Sequence, residues 1–128
     1  MSGGLTEAAW QAQVEGLARF YGWRTYHPPD NRPAGRAGRP QRVTSGFPDL
    51  VLLRGPELLF VELKTDKGRA SPEQREWLGE LAAVGDACAQ SANYPATVEA
   101  YIWRPRDFDD VHARLARGRH QQHATFTP

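Results

Sequence analysis

The chain has 128 residues, the size of one ordinary domain with a single core. Its 40% hydrophobic content and mean hydropathy of -0.63 fit a water-soluble globular protein, and no apolar run approaches the ~20 residues of a membrane span. The net charge of +1 does not by itself mark a nucleic-acid binder, and a lone cysteine, Cys88, excludes an intramolecular disulfide. With no signal-peptide pattern at the first residues, the expected location is the cytoplasm, away from membranes.

The first predicted element is a helix over 7–21, with Trp10, Val14, Leu17, Ala18 and Tyr21 forming one apolar stripe. Thr6 is a suitable N-cap and Gly22 a suitable stop. Residues 23–27 read as a short strand. From 28 to 45, proline, glycine and arginine dominate, and Arg32, Arg36, Arg39 and Arg42 stand against one acid, Asp30. Such a loop is too long for a mere connector, and its arginines suit either solvent or a phosphate backbone. A second basic stretch, 114–119, lies close to His112, His120 and His123.

Two strands are predicted over 47–53 and 58–64, joined by Arg54-Gly55-Pro56-Glu57. Ser71-Pro72-Glu73-Gln74 opens a second helix with a capping-box pattern. Trp77, Leu78, Leu81 and Ala82 give that helix an inward face, and Gly85 is read as its end, leaving 86–96 as loop. A strand over 98–103 and a helix over 107–117, with Phe108, Val111 and Leu115 inward, complete the domain; 119–128 reads as a frayed tail. The order predicts one α/β domain over 1–128, a mixed central sheet flanked by helices. Trp10, Trp23, Trp77 and Trp103 read as core or dimer contacts, and the histidines, His27 included, as surface residues.

The chemistry concentrates in Gly46-Phe47-Pro48-Asp49 and, thirteen residues after the aspartate, Glu62-Leu63-Lys64. A hairpin centred on Gly55-Pro56 puts Asp49 opposite Glu62, with Cβ atoms roughly 4.5–5.5 Å apart. Lys64 shares the Glu62 face, because residues two apart in a strand point the same way. Facing carboxylates repel unless a cation neutralises them, and hard oxygens suit Mg²⁺. A salt bridge at a hairpin end is the plainer account of the Glu-x-Lys pair alone.

These motifs, with Val61-Glu62-Leu63-Lys64 and Ser71-Pro72-Glu73-Gln74-Arg75, resemble the VRR-NUC branch of the PD-(D/E)xK nucleases over about residues 5–103. The resemblance implies a restriction-endonuclease-like core, dependence on Mg²⁺ or Mn²⁺, and cleavage of DNA phosphodiesters. Stand-alone members of this size resemble phage or bacterial Holliday-junction-resolving nucleases, which implies a homodimer and branched DNA as a candidate substrate. It further implies Asp49 and Glu62 as metal ligands, the Leu63 carbonyl as a third, and Lys64 as the catalytic lysine.

An acid on the first helix also belongs to the pattern. Glu7 lies ~50° from the centre of the apolar stripe and Glu15 ~130° from it, so Glu7 is the candidate; a favourable helix-dipole contact is its alternative role. Gln74 can cap the helix at Ser71 or reach the site, and spacing alone leaves both open. The long 86–96 segment departs from the pattern. A non-catalytic nucleic-acid-binding module and an RNA-directed nuclease are the alternative functions.

Overall fold

In a computed structural model, residues 4–29, 46–91, 93 and 96–118 are described. Helix α1 (Glu7–Phe20) is followed by strands β1 (Arg24–Tyr26), β2 (Leu50–Arg54) and β3 (Glu57–Leu63). Helix α2 (Pro72–Ala89), strand β4 (Thr97–Trp103), a 3₁₀ turn (Pro105–Asp107) and helix α3 (Phe108–Ala116) complete the order. The sheet runs β1-β2-β3-β4, antiparallel through β3 and parallel between β3 and β4. The mixed sheet flanked by helices agrees with the expected α/β architecture. Among the described residues, no helix is long and apolar enough to cross a membrane. The stretches 30–45 and 119–128 lie outside the described residues, and with them Arg32, Arg36, Arg39, Arg42, His120 and His123.

Alternation along β2 and β3 divides the side chains between two layers. Leu50, Leu52, Leu59, Val61 and Leu63 are buried with Trp10, Val14 and Ala18 of α1 and Val111 and Leu115 of α3. The Trp10 indole N–H donates to the Trp103 carbonyl at 3.0 Å, so the largest α1 side chain is buried with its polar atom satisfied. The Thr6 hydroxyl accepts from the Ala9 amide at 3.0 Å, and Gly22 leaves the helix at φ 88, as the cap and stop residues predicted.

Several expectations need correction. The second strand begins at Leu50, not at 47, because Pro48 has no amide for a ladder and Gly46 turns the chain at φ 83. Phe108 is 42% exposed, while Arg114 occupies the inward stripe with Val111 and Leu115. Ala82 is exposed. His112 is half-buried, its Nε2 3.0 Å from the Tyr21 hydroxyl.

The largest correction concerns Gly85. Helix α2 runs through it to Ala89, so the connector to β4 is short. A Cβ at Gly85 would sit 1.8 Å from the Val98 carbonyl oxygen. The glycine therefore lets α2 press against β4 and is not a helix stop. Residues 86–89, expected as loop, therefore belong to the helix.

Away from the carboxylates, the sheet is tied by buried arginines. Arg54 stacks on Trp23 at 4.2 Å and donates to the Leu115 carbonyl at 2.8 Å, to Tyr21 at 3.1 Å, to Arg117 O and to Glu57 at 3.2 Å. Arg114 pairs with Glu57 at 2.9 Å and Glu99 at 2.7 Å. Burial alone would raise the Glu99 carboxyl, but bonds from Arg114 and Tyr101 and the charges of Arg114 and Arg117 hold it below the usual range. Arg114 is thus committed to the fold, not to phosphates.

Candidate active site

The hairpin joining β2 to β3 sets the geometry. Gly55 takes φ 58 at the first position of a two-residue turn, and Pro56 keeps its fixed negative φ at the second, a type II′ combination. The ladder pairs Arg54 with Glu57 and ends with Leu50 opposite Val61. Asp49 and Glu62 follow immediately, one on each strand. Although Asp49 has left the ladder, its Oδ2 accepts from the Leu63 amide at 2.9 Å, which draws the carboxylate back toward β3. Lys64 Nζ lies 3.4 Å from Glu62 Oε2, on the same face. The three groups predicted to converge do so.

Glu62 is 1% exposed, and its Oε1 is buried with no hydrogen-bond partner. Burial and, after it, the neighbouring charge of Asp49 push the Glu62 carboxyl up to about 8, against the opposing pull of Lys64. In metal-free protein the native state therefore keeps a proton that an unfolded chain gives up near 4.5. Its stabilising contribution is complete below pH 4.5, declines as pH rises and is gone above about 8. Urea unfolding in EDTA across that window should show this decline, and Glu62→Gln should flatten it.

Gln74 combines the two roles that spacing left as alternatives. Its Oε1 accepts from the Ser71 amide at 2.7 Å, and its backbone amide donates to the Ser71 hydroxyl at 3.1 Å. Its Nε2 donates to Glu62 Oε2 at 2.6 Å. The capping box thus locks a side-chain amide against the buried carboxylate. Glu7 is not brought into this group: it is exposed on the first turn of α1, on the opposite layer from Glu62. Among the described residues no hydrogen bond or ion pair joins Glu7 to the corner.

The Leu63 amide points at Asp49, and in extended chain its carbonyl leaves by the same strand edge. The hard-oxygen set is therefore two carboxylates with one backbone carbonyl. Among the described residues no group of three or more Asp, Glu, His or Cys side chains is assembled for a metal. For Mg²⁺ that number is sufficient, since it keeps waters and takes substrate phosphate oxygens alongside one or two carboxylates. The unpartnered Glu62 oxygen, beside a second acid, fits a cation-binding corner. One contributor that spacing does not reveal is His27, whose Nδ1 is 2.9 Å from the Asp49 carbonyl; Arg54, which alternation from Leu50 and Leu52 puts on the buried face, ties the far end of the hairpin instead.

A mixed sheet with helices on both faces, carrying an acid pair and a lysine at the ends of adjacent strands, defines an α/β protein of the restriction-endonuclease-like class. A family model described as the VRR-NUC domain matches residues 10–91, and the chain belongs to that family of nuclease domains in the PD-(D/E)xK superfamily. No curated protein and no solved structure matches the chain. Membership makes nuclease the coarse function, with DNA as the substrate that a nuclease domain implies.

Proposed function

We propose that the protein is a Mg²⁺- or Mn²⁺-dependent DNA endonuclease that hydrolyses phosphodiester bonds, with Asp49, Glu62 and the Leu63 carbonyl as metal ligands. The observation that carries this reading is the buried Glu62 carboxylate, with one oxygen unpartnered, beside Asp49 and 3.4 Å from Lys64. A bound cation supplies a polarised phosphate oxygen and a more acidic water. Lys64 neutralises charge gathering on the phosphorane and orients the attacking water. Gln74 holds Glu62 in place from the cap of α2. Incubating the protein with linear, flapped and four-way DNAs and matched RNA, with Mg²⁺, Mn²⁺ or EDTA, tests the reading. The expected result is metal-dependent DNA cleavage, strongest on branched forms; cleavage of RNA alone or in EDTA contradicts it.

The same reading assigns Arg32, Arg36, Arg39 and Arg42 to the duplex backbone, supported by the local excess of positive charge in the sequence. Neutralising Arg36 and Arg39 should weaken DNA binding and reduce the magnitude of the log–log salt slope by about 2, since each phosphate contact contributes roughly one released counterion. An unchanged slope clears these arginines. The family likeness extends the reading to a homodimer, and the lone cysteine and the lack of a signal-peptide pattern support the cytoplasm as its location; sedimentation at micromolar concentration checks the stoichiometry.

A further inference from the structure

The backbone at Asp49 carries an acceptor that the sheet cannot satisfy. The Lys64 amide bonds the Trp103 carbonyl, so Leu63, Val61 and Leu59 direct their backbone groups the other way, toward β2. Leu50 and Leu52, opposite Val61 and Leu59, face β3 in return. The alternate residues of β2, Val51 and Leu53, therefore face β1, as does the carbonyl of Asp49 just before them. Tyr26 is the last residue of β1 and pairs with Val51; continued one step further along this hydrogen-bonding row, the register would set Pro28 opposite Asp49. Proline has no N–H to give. The ladder stops there, and the Asp49 carbonyl accepts instead from the side chain of His27, at 2.9 Å from Nδ1.

Because a carbonyl only accepts, this contact requires the proton to be on Nδ1. Asp49 is thereby held at two points: its carboxylate by the Leu63 amide and its main chain by His27. We propose that His27 is a positioning residue for Asp49, the imidazole replacing the ladder donor that Pro28 lacks and fixing the angle at which the carboxylate meets the metal. This inference rests on the metal-binding role proposed above. His27 acts only through the main chain of Asp49, and among the described residues no hydrogen bond or ion pair joins it to the Asp49 or Glu62 carboxyl groups or to Lys64.

Substitution separates this role from others. His27→Asn keeps a donor near the Nδ1 position, His27→Gln moves it toward the Nε2 position, and His27→Ala removes it. In metal-free protein, long-range ¹H–¹⁵N spectra should find neutral His27 as the Nδ1–H tautomer. His27→Ala should weaken Mn²⁺ binding in calorimetry and lower kcat about tenfold each, the scale seen for groups that orient metal ligands, with little change in Tm or in KM for DNA. His27→Asn should recover most of both losses, and His27→Gln should not.

Rescue by Gln in place of Asn, an Nε2–H tautomer, or an alanine variant that binds Mn²⁺ as the parent does would overturn the assignment. The parent protein keeps this result distinct from a failure of the metal reading. If the parent binds no Mn²⁺, the metal site falls and His27's role in it falls too; if the parent binds and His27→Ala binds equally, only the His27 role is lost.

Discussion

Glu62→Gln should lower metal-dependent DNA cleavage by about 10³-fold or more while DNA binding in EDTA stays within about twofold of the parent. Removing one preorganised electrostatic contact from an active site typically costs about 10²–10³-fold, and here the lost group also carries the metal charge balance. Glutamine keeps the shape of the side chain, so the buried position is still filled and Gln74 still has a carbonyl oxygen to meet. What disappears is the negative charge. The variant should also lose the stability penalty at high pH, because its amide does not titrate. Gel-based single-turnover cleavage, read with binding measured by anisotropy, separates the two effects. A variant that cuts at the parent rate contradicts the assignment of Glu62, whatever its stability.

The second large effect is a contrast between two glycines of the same helix. Gly79 and Gly85 both lie within α2, and alanine should favour either position by about 1 kcal/mol on helix propensity alone. At Gly79 a Cβ meets nothing within 4 Å, so Gly79→Ala should stabilise the protein by roughly that amount. At Gly85 the same atom would be 1.8 Å from a backbone oxygen of β4, which has no flexible side-chain end to yield. Gly85→Ala must move the helix off the strand, with a cost of about 1–3 kcal/mol or more from overpacking. Because α2 also carries Gln74, the displacement should disturb the bond to Glu62 and reduce cleavage as well. Urea denaturation of the two variants checks the opposite signs; equal stabilisation of both would show that α2 does not sit so close to β4.

Much of this architecture could be read from spacing. The turn at Gly55-Pro56, with two apolar runs around it, predicted the hairpin register, and with it the approach of Asp49 to Glu62. That inference worked because a two-residue turn fixes the register, and a slip of one residue would turn the buried face of one run outward. The stripe of Trp10, Val14 and Ala18 likewise identified the inward side of α1. Gly85 misled because a glycine that ends a helix and one that allows close packing are identical in sequence. Only the partner strand tells them apart.

At the site, the position of Gln74 in the capping box was legible, but its simultaneous bond to Glu62 depends on where α2 lands on the sheet. Angular position on a helical wheel favoured Glu7, yet the wheel does not say on which layer the helix lies. Helix α1 packs on the layer opposite Glu62, which leaves Glu7 exposed. The role of Arg114 was hidden for a related reason: its acidic partners Glu57 and Glu99 come from two strands distant in sequence. Spacing marks His27 only as a surface residue, because its contact with the Asp49 carbonyl depends on a missing amide at Pro28, visible only once the β1–β2 register is known.

The most direct test is a calorimetric titration of Mn²⁺ into the parent, Asp49→Asn and Glu62→Gln proteins without DNA. The account predicts saturable binding by the parent, tighter at pH 8 than at pH 6 because the raised Glu62 carboxyl must give up its proton, and loss of that binding in both variants. Parent-like Mn²⁺ binding after removal of either charge, or none by the parent at any pH, would contradict it.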